Sequence, residues 1–193
     1  MSKLNVDTIE PEGASTTLTL GASGDTVDVP SGATLDVTGA TVTGLSAGKV
    51  LQVVTLQYNT IETHSAGESW QNTGLSAAIT PASTSNKVLV LITASFGQDS
   101  YGMANVVRDS TALNQGTGAG SRVACTVGLQ GQYPTPATIT LLDSPSTTSA
   151  TTYLLAIYGY NGGTAYLNRS NADADNNWTA RGSSSITLME IEG

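Results

Sequence analysis

Apolar and polar residues alternate at period two in run after run of this chain, and almost every run is closed by glycine, proline, asparagine or a serine–threonine cluster. Such alternation places successive side chains on opposite faces of an extended backbone, and turn residues so closely spaced leave no room for ordinary helices. The chain is therefore expected to be all-β, built of short strands that stand only by pairing with others. Its 193 residues suit one ordinary domain with a smaller appendage, and hence one core.

The pattern divides near Gly48. Before it, the apolar pairs Leu18/Leu20, Val27/Val29 and Leu35/Val37 recur after nine and then eight positions, and Val42 continues the series less regularly. Each pair is one very short strand with both members on one face. Gly21, Gly24, Pro30, Gly32, Gly39 and Gly44 supply the turns. The period predicts an interwound β-stalk, of the triple β-prism or β-helix kind, over 14–47. One copy buries too little apolar surface to offset the entropy of ordering such a segment, so association of several copies through these residues is expected. Ahead of it, residues 1–13, "MSKLNVDTIEPEG", place Leu4, Val6 and Ile9 in loose alternation, suited to adding a strand to a partner or docking in its grooves.

From residue 48 to 193 the runs lengthen: "KVLQVVTLQY", "GLSAAIT", "NKVLVLITASF", "ANVVRDS", "SRVACTVGL", "ATITLLDS", "TTYLLAIYGY", "TAYLN" and "SSITLMEIE". Eight or nine strands separated by turn clusters predict a two-sheet sandwich of the jelly-roll kind. The nearly continuous apolar stretches Val88–Ile92 and Tyr153–Tyr158 predict strands covered on both faces. The core covers one face; identical neighbours would suffice for the other.

Composition narrows function. Seven basic residues against fifteen acidic ones give a net charge of −8, and the bases are scattered. Such a surface repels phosphate backbones, which argues against nucleic acid as a partner. No stretch approaches the roughly 20 apolar residues that span a bilayer, and the first residues lack the apolar block of a secretory leader. Folding in a cytoplasm, without membrane insertion, is the expectation. The single cysteine, Cys125, excludes an intrachain disulfide and sits in alternation that predicts a buried structural thiol.

The segment "KLNVDTIEPEGASTTLTLGASGDTVDVPSGATLDVTG", with "TGLSAAITPASTSNKVLV" (73–90), "RDST" (108–111), "LLDSP" (141–145) and the ending "SSITLMEIEG", resembles fibre-like virion proteins of tailed, marine-type bacteriophages. The resemblance implies a homotrimer with a slender stalk and a β-sandwich head. Residues 1–13 would anchor it to another virion protein, of tail or capsid, and the head would meet a host-surface glycan or protein. Head fibres and capsid decorations that serve adhesion or particle stability share such modules and form the alternative reading; a capsule-degrading enzyme is a further one.

Individual residues point the same way. His64 lies near Glu62 and Glu68 in a polar stretch expected to be an exposed loop, and no G-x-S-x-G elbow accompanies the serines. Asp173 and Asp175 alternate like the start of a calcium loop but lack its glycine and distal glutamate, which predicts a solvated turn and no metal site. Asp99 and Asp109 would serve a glycosidase only at a suitable separation. No catalytic set and no cofactor is expected. The recognition candidates are Asn176, Asn177, Trp178 and Arg181 in the polar loop "NRSNADADNNWTARGS" (168–183), with Tyr160 and Asn161 in "YGYNGG" and Tyr101 in "FGQDSYG". Trp70 and the aromatics of these turns also suit interface packing.

Overall fold

The computed structural model describes Thr26, residues 28–34, 49–65 and 67–193. Chain contacts divide it into Met1–Leu45 and Ser46–Gly193. In the first unit, residues 28–34 form a turn in which Ala33 N–H bonds to the Pro30 carbonyl at 3.0 Å, with Gly32 at φ +87°. Val29 beside it is exposed. Leu4, Val6, Ile9, Leu18, Leu20, Val27, Leu35, Val37 and Val42 lie outside the described residues.

The second unit is all-β. Its strands are β1 (Val50–Tyr58), β2 (Glu62–His64), β3 (Gln71–Ile79), β4 (Lys87–Gln98), β5 (Tyr101–Arg108), β6 (Thr111–Leu113), β7 (Val127–Gln130), β8 (Thr135–Asp143), β9 (Thr151–Gly159), β10 (Ala165–Leu167) and β11 (Ser184–Ile191). They form two antiparallel sheets. The first follows the order β1-β11-β4-β10-β2 with β8 on the other edge of β4; the second follows β3-β9-β5-β6 with β7 also on β5.

Three strands are interrupted. β10 and β11 lie along the same edge of β4, Leu167 opposite Phe96 and Ser185 opposite Thr93. β1 and β2 follow them on the outer side, and β6 and β7 share one edge of β5. The pairing is nested: the first strand with the last, β3 with β9, β4 with β8, and β5 with the strand after it.

Alternation decides what is inside. Val88, Val90, Ile92 and Phe96 of β4 meet Ile186 and Leu188 of β11 and Ile139 of β8 from one sheet; Leu75, Val106, Leu155 and Ile157 close the core from the other. Each such side chain contributes roughly 1.5–3 kcal/mol of burial. At one end of the sandwich a polar clamp joins the sheets. Arg108 Nη1 of β5 and the Tyr153 hydroxyl of β9 both donate to Asp143 Oδ2 of β8, each at 2.7 Å. Burial, then the bond to Asp143, pushes the Tyr153 phenol far above its usual range, so it remains a donor at any pH the fold meets. Tyr153→Phe is expected to cost about 1–2 kcal/mol in urea unfolding, with the core volume preserved.

Two expectations are corrected. The stretch 121–126 around Cys125 is irregular, because its backbone bonds run to Gly116 and Ala104 and pairing starts only at Val127; Cys125 is half-buried. At its Tyr158 end the second face of Tyr153–Tyr158 is covered by the chain itself, while Leu154 is half-buried. Trp70 lies against Tyr158 with ring centroids 5.4 Å apart.

Candidate functional site

Residues 168–183 leave the sheet between β10 and β11, two pieces of what is otherwise one strand. Asn168 makes this departure. It is fully buried at φ +63°, a left-handed conformation that asparagine tolerates better than most residues. Its N–H bonds to the Ser95 carbonyl at 2.8 Å, filling the gap left in the β4 ladder. Its Oδ1 accepts from the Ser184 hydroxyl at 2.6 Å, and Ser184 Oγ in turn accepts the Ser95 N–H. Its Nδ2 donates to the carbonyls of Tyr58 and Thr60 at 2.8 and 3.0 Å, across the break between β1 and β2. One side chain thus stitches both interruptions. Gly97 and Gly182 permit the close approach, since a Cβ at either would collide with Arg169 O or Ser95 Oγ.

Beyond this neck the loop holds itself. Ser170 and Ala180 exchange backbone and hydroxyl bonds of 3.0–3.1 Å. Asn176 Oδ1 accepts the N–H groups of Trp178 and Thr179 at 3.2 and 3.0 Å, forming a local turn. Arg181 forks onto Asp173 through Nε and Nη2 at 2.9 and 2.7 Å, which lowers the Asp173 pKa and raises that of Arg181. Arg169 lies 4.5 Å over the Tyr166 ring, and its fork donates to the Ser170 and Asn171 carbonyls. The product is an ordered polar loop bearing Trp178 with 59% of its surface exposed.

Of the loop residues singled out from sequence, Asn176 and Arg181 are thus spent on internal bonds, while Asn177 and Trp178 are exposed. Tyr101 and Tyr160 come together in an edge-on pair, centroids 6.5 Å apart, and flank a cleft of about 570 Å³ lined also by Gly102, Met103, Cys125 and Leu129. Asn161, at φ +54°, is exposed beside it and donates its N–H to Glu68. Tyr133, in a turn cluster given no role from sequence, is a further exposed aromatic.

These aromatics share one end of the sandwich. The β4–β5, β7–β8 and β9–β10 connections meet there through Gln98 N–H to Gly131 O, Asp99 N–H to Thr164 O and Tyr160 N–H to Tyr101 O; Asn171 N–H ties the 168–183 loop to Gln132 O. Lys49 lies at the opposite end, where its carbonyl accepts the Glu192 N–H.

The acidic candidates do not converge on one point. His64 is in β2, not a loop, and is largely buried: Nε2 is 2.6 Å from Glu62 Oε2, and Nδ1 is 3.1 Å from Gln71 Oε1. Both ring nitrogens are therefore engaged. Glu62 also accepts the Gly74 N–H at 2.8 Å, pinning β3 to the His64 strand. Asp99 accepts from the Tyr166 hydroxyl at one end of β5, and Asp109 caps Thr152 at the other. They are separated by the length of β5, roughly 25 Å, too far to flank one glycosidic bond. Among the described residues, no group of three His, Cys, Asp or Glu side chains is placed to hold a metal. Asp173, the first of the calcium-like pair, faces Arg181 instead.

No family model matches the chain, and no curated protein sequence is detectably similar to it.

Proposed function

We propose that the chain is a non-catalytic, homotrimeric fibre or spike subunit of a phage virion, with a jelly-roll head that attaches to the host surface. The observation that carries the attachment role is the ordered loop presenting Trp178 at the end of the sandwich remote from Lys49. Ordering a loop this polar around an exposed indole sacrifices apolar burial for presentation, as recognition surfaces do. The nested strand pairing supports the jelly-roll reading, because a long hairpin rolled up so that its halves lie in both sheets gives this order. The resemblance of residues 3–39 to phage fibre proteins supports the virion setting, with Leu4, Val6 and Ile9 as anchor.

Trp178 and the Tyr101–Tyr160 cleft offer flat apolar faces flanked by amides and hydroxyls, chemistry suited to sugar rings or apolar side chains. Fluorescently labelled protein is expected to adsorb to cells that the particle infects. Trp178→Ala, and separately Tyr160→Ala, should reduce that affinity about tenfold or more with unchanged circular dichroism. Adsorption unaltered in both variants would overturn the assignment of this end as the contact surface.

A further inference from the structure

The first sheet has a second face, turned away from the core. Register places Val53 of β1 opposite Met189 of β11, Met189 opposite Leu89 of β4, and Leu89 opposite Leu142 of β8. Because their sequence neighbours Val54, Leu188, Val88 and Leu141 point into or pack against the core, these four form one outward apolar row across the whole sheet. Val53 is 54% and Leu142 55% exposed at its ends. The next row is Thr55, Thr187, Leu91 and Thr140, joined by a 2.9 Å bond between the Thr55 and Thr187 hydroxyls. The row on the other side pairs Val50 with Ile191 and Ile191 with Lys87.

Exposed apolar side chains, together with the absence of acid, set this face apart: the strands of the second sheet carry no acid either, but only Tyr101 of their large apolar side chains is exposed, whereas Val50, Leu51, Val53 and Leu142 of the first sheet are. The chain carries fifteen acidic residues, yet the outward positions of β1, β11, β4 and β8 hold none. Asp143 and Glu190, the only acids within these strands, turn inward to Arg108 and to Asn86. Lys87 is the only ionic group in these rows.

We infer that this face is where copies of the chain meet. The inference rests on the oligomeric reading proposed above and assigns its surface within the head. Copies that each carry −8 associate at least cost where no acid faces acid and apolar side chains are left exposed, and this sheet face combines the two. Four strands about 4.8 Å apart and about eight residues long make a footprint of roughly 500 Å². That is toward the upper end of the roughly 300–600 Å² apolar patches that monomers leave exposed and somewhat below the about 800 Å² that stable complexes bury per partner. A cationic partner would find no acid here to pair with, and a nucleic acid only Lys87.

The test is maleimide labelling of the full chain in a Cys125→Ser background, with Val53→Cys or Leu142→Cys on the face and Ser110→Cys as an exposed control. Solution mass is measured on the same samples. The expected result is an oligomeric mass, fast labelling at Ser110→Cys, and labelling at least about tenfold slower at both face positions until urea is added. An oligomeric mass with face positions as reactive as the control overturns the assignment of this face and leaves the oligomer standing. A monomeric mass removes the oligomer itself; protection of the face in that monomer would show residues 1–48 covering it, and overturns the inference equally.

Discussion

Replacing Asn168 with alanine is expected to destabilise the domain by about 4 kcal/mol in urea unfolding. The substitution leaves the part-buried Tyr58 and Thr60 carbonyls and the buried Ser184 hydroxyl without this partner; a fully buried orphan costs roughly 1–3 kcal/mol and a part-buried one less. Alanine at φ +63° adds about 1 kcal/mol. Glycine relieves that last cost alone, so Asn168→Gly is expected to be about 1 kcal/mol milder. Aspartate keeps the shape but sets a carboxylate against two carbonyls, and is expected to be at least as damaging as alanine. Since total stability is about 5–15 kcal/mol, the loss is large. It is expected to fall most heavily on the 168–183 loop, measurable as lost hydrogen-exchange protection at Ala180 and Gly182. An alanine variant within about 1 kcal/mol of wild type would show that the loop's neck does not depend on this side chain.

Glu190 is the second such point. It is 1% exposed, and its carboxylate gathers Gln52 Nε2 at 2.6 Å, Ala82 N–H at 2.6 Å and Asn86 Nδ2 at 2.5 Å, tying the β3–β4 connection to β1 and β11. Burial pushes its pKa up, but the donors of Asn86, Gln52 and Ala82 together outweigh burial and hold it below the usual range. A carboxyl depressed in the folded state contributes stability above its unfolded pKa of about 4.3, and that contribution is lost as pH falls through the folded value. Glu190→Gln sets an amide donor among donors and is expected to cost about 2–3 kcal/mol at pH 7. The gap between variant and wild type should narrow steadily below about pH 4.3, measured by urea unfolding across pH. A gap independent of pH would mean that ionisation of Glu190 is not what the donors stabilise.

Much of this fold was legible because β4 and β9 are long, nearly continuous apolar runs and β11 alternates, so each could be read as a strand from the sequence. The three-residue strands β2 and β6 could not. "ETH" and "TAL" carry no apolar period, and they pair only because β10 and β5 already present an open edge. The opposite error arose at 121–126, where Val123 and Cys125 alternate correctly but no strand edge lies beside them until Val127. Periodicity states what a segment can do; partners decide whether it does.

The site shows the same division. A lone tryptophan in a polar stretch drew attention to 168–183 from sequence. Which of its polar side chains are engaged within the loop depends on Arg181 reaching Asp173 eight residues away, and spacing alone does not set that. Asn168 carried one readable sign, an asparagine directly after an apolar strand, since asparagine tolerates left-handed backbone better than most residues. Tyr133 lay inside "QYPTPA", whose prolines drew the reading to the turn and away from the ring. His64 was misplaced because its neighbours are polar, yet those same neighbours, Glu62 and Gln71, are what bury it.

Self-association is the central claim, since both the interwound stalk proposed over 14–47 and the interface proposed on the sheet face need identical partners. Light scattering after gel filtration of the full chain tests it most directly. The account predicts a mass three times that of the 19.6 kDa chain, stable to dilution. A mass of one chain at every concentration would contradict it.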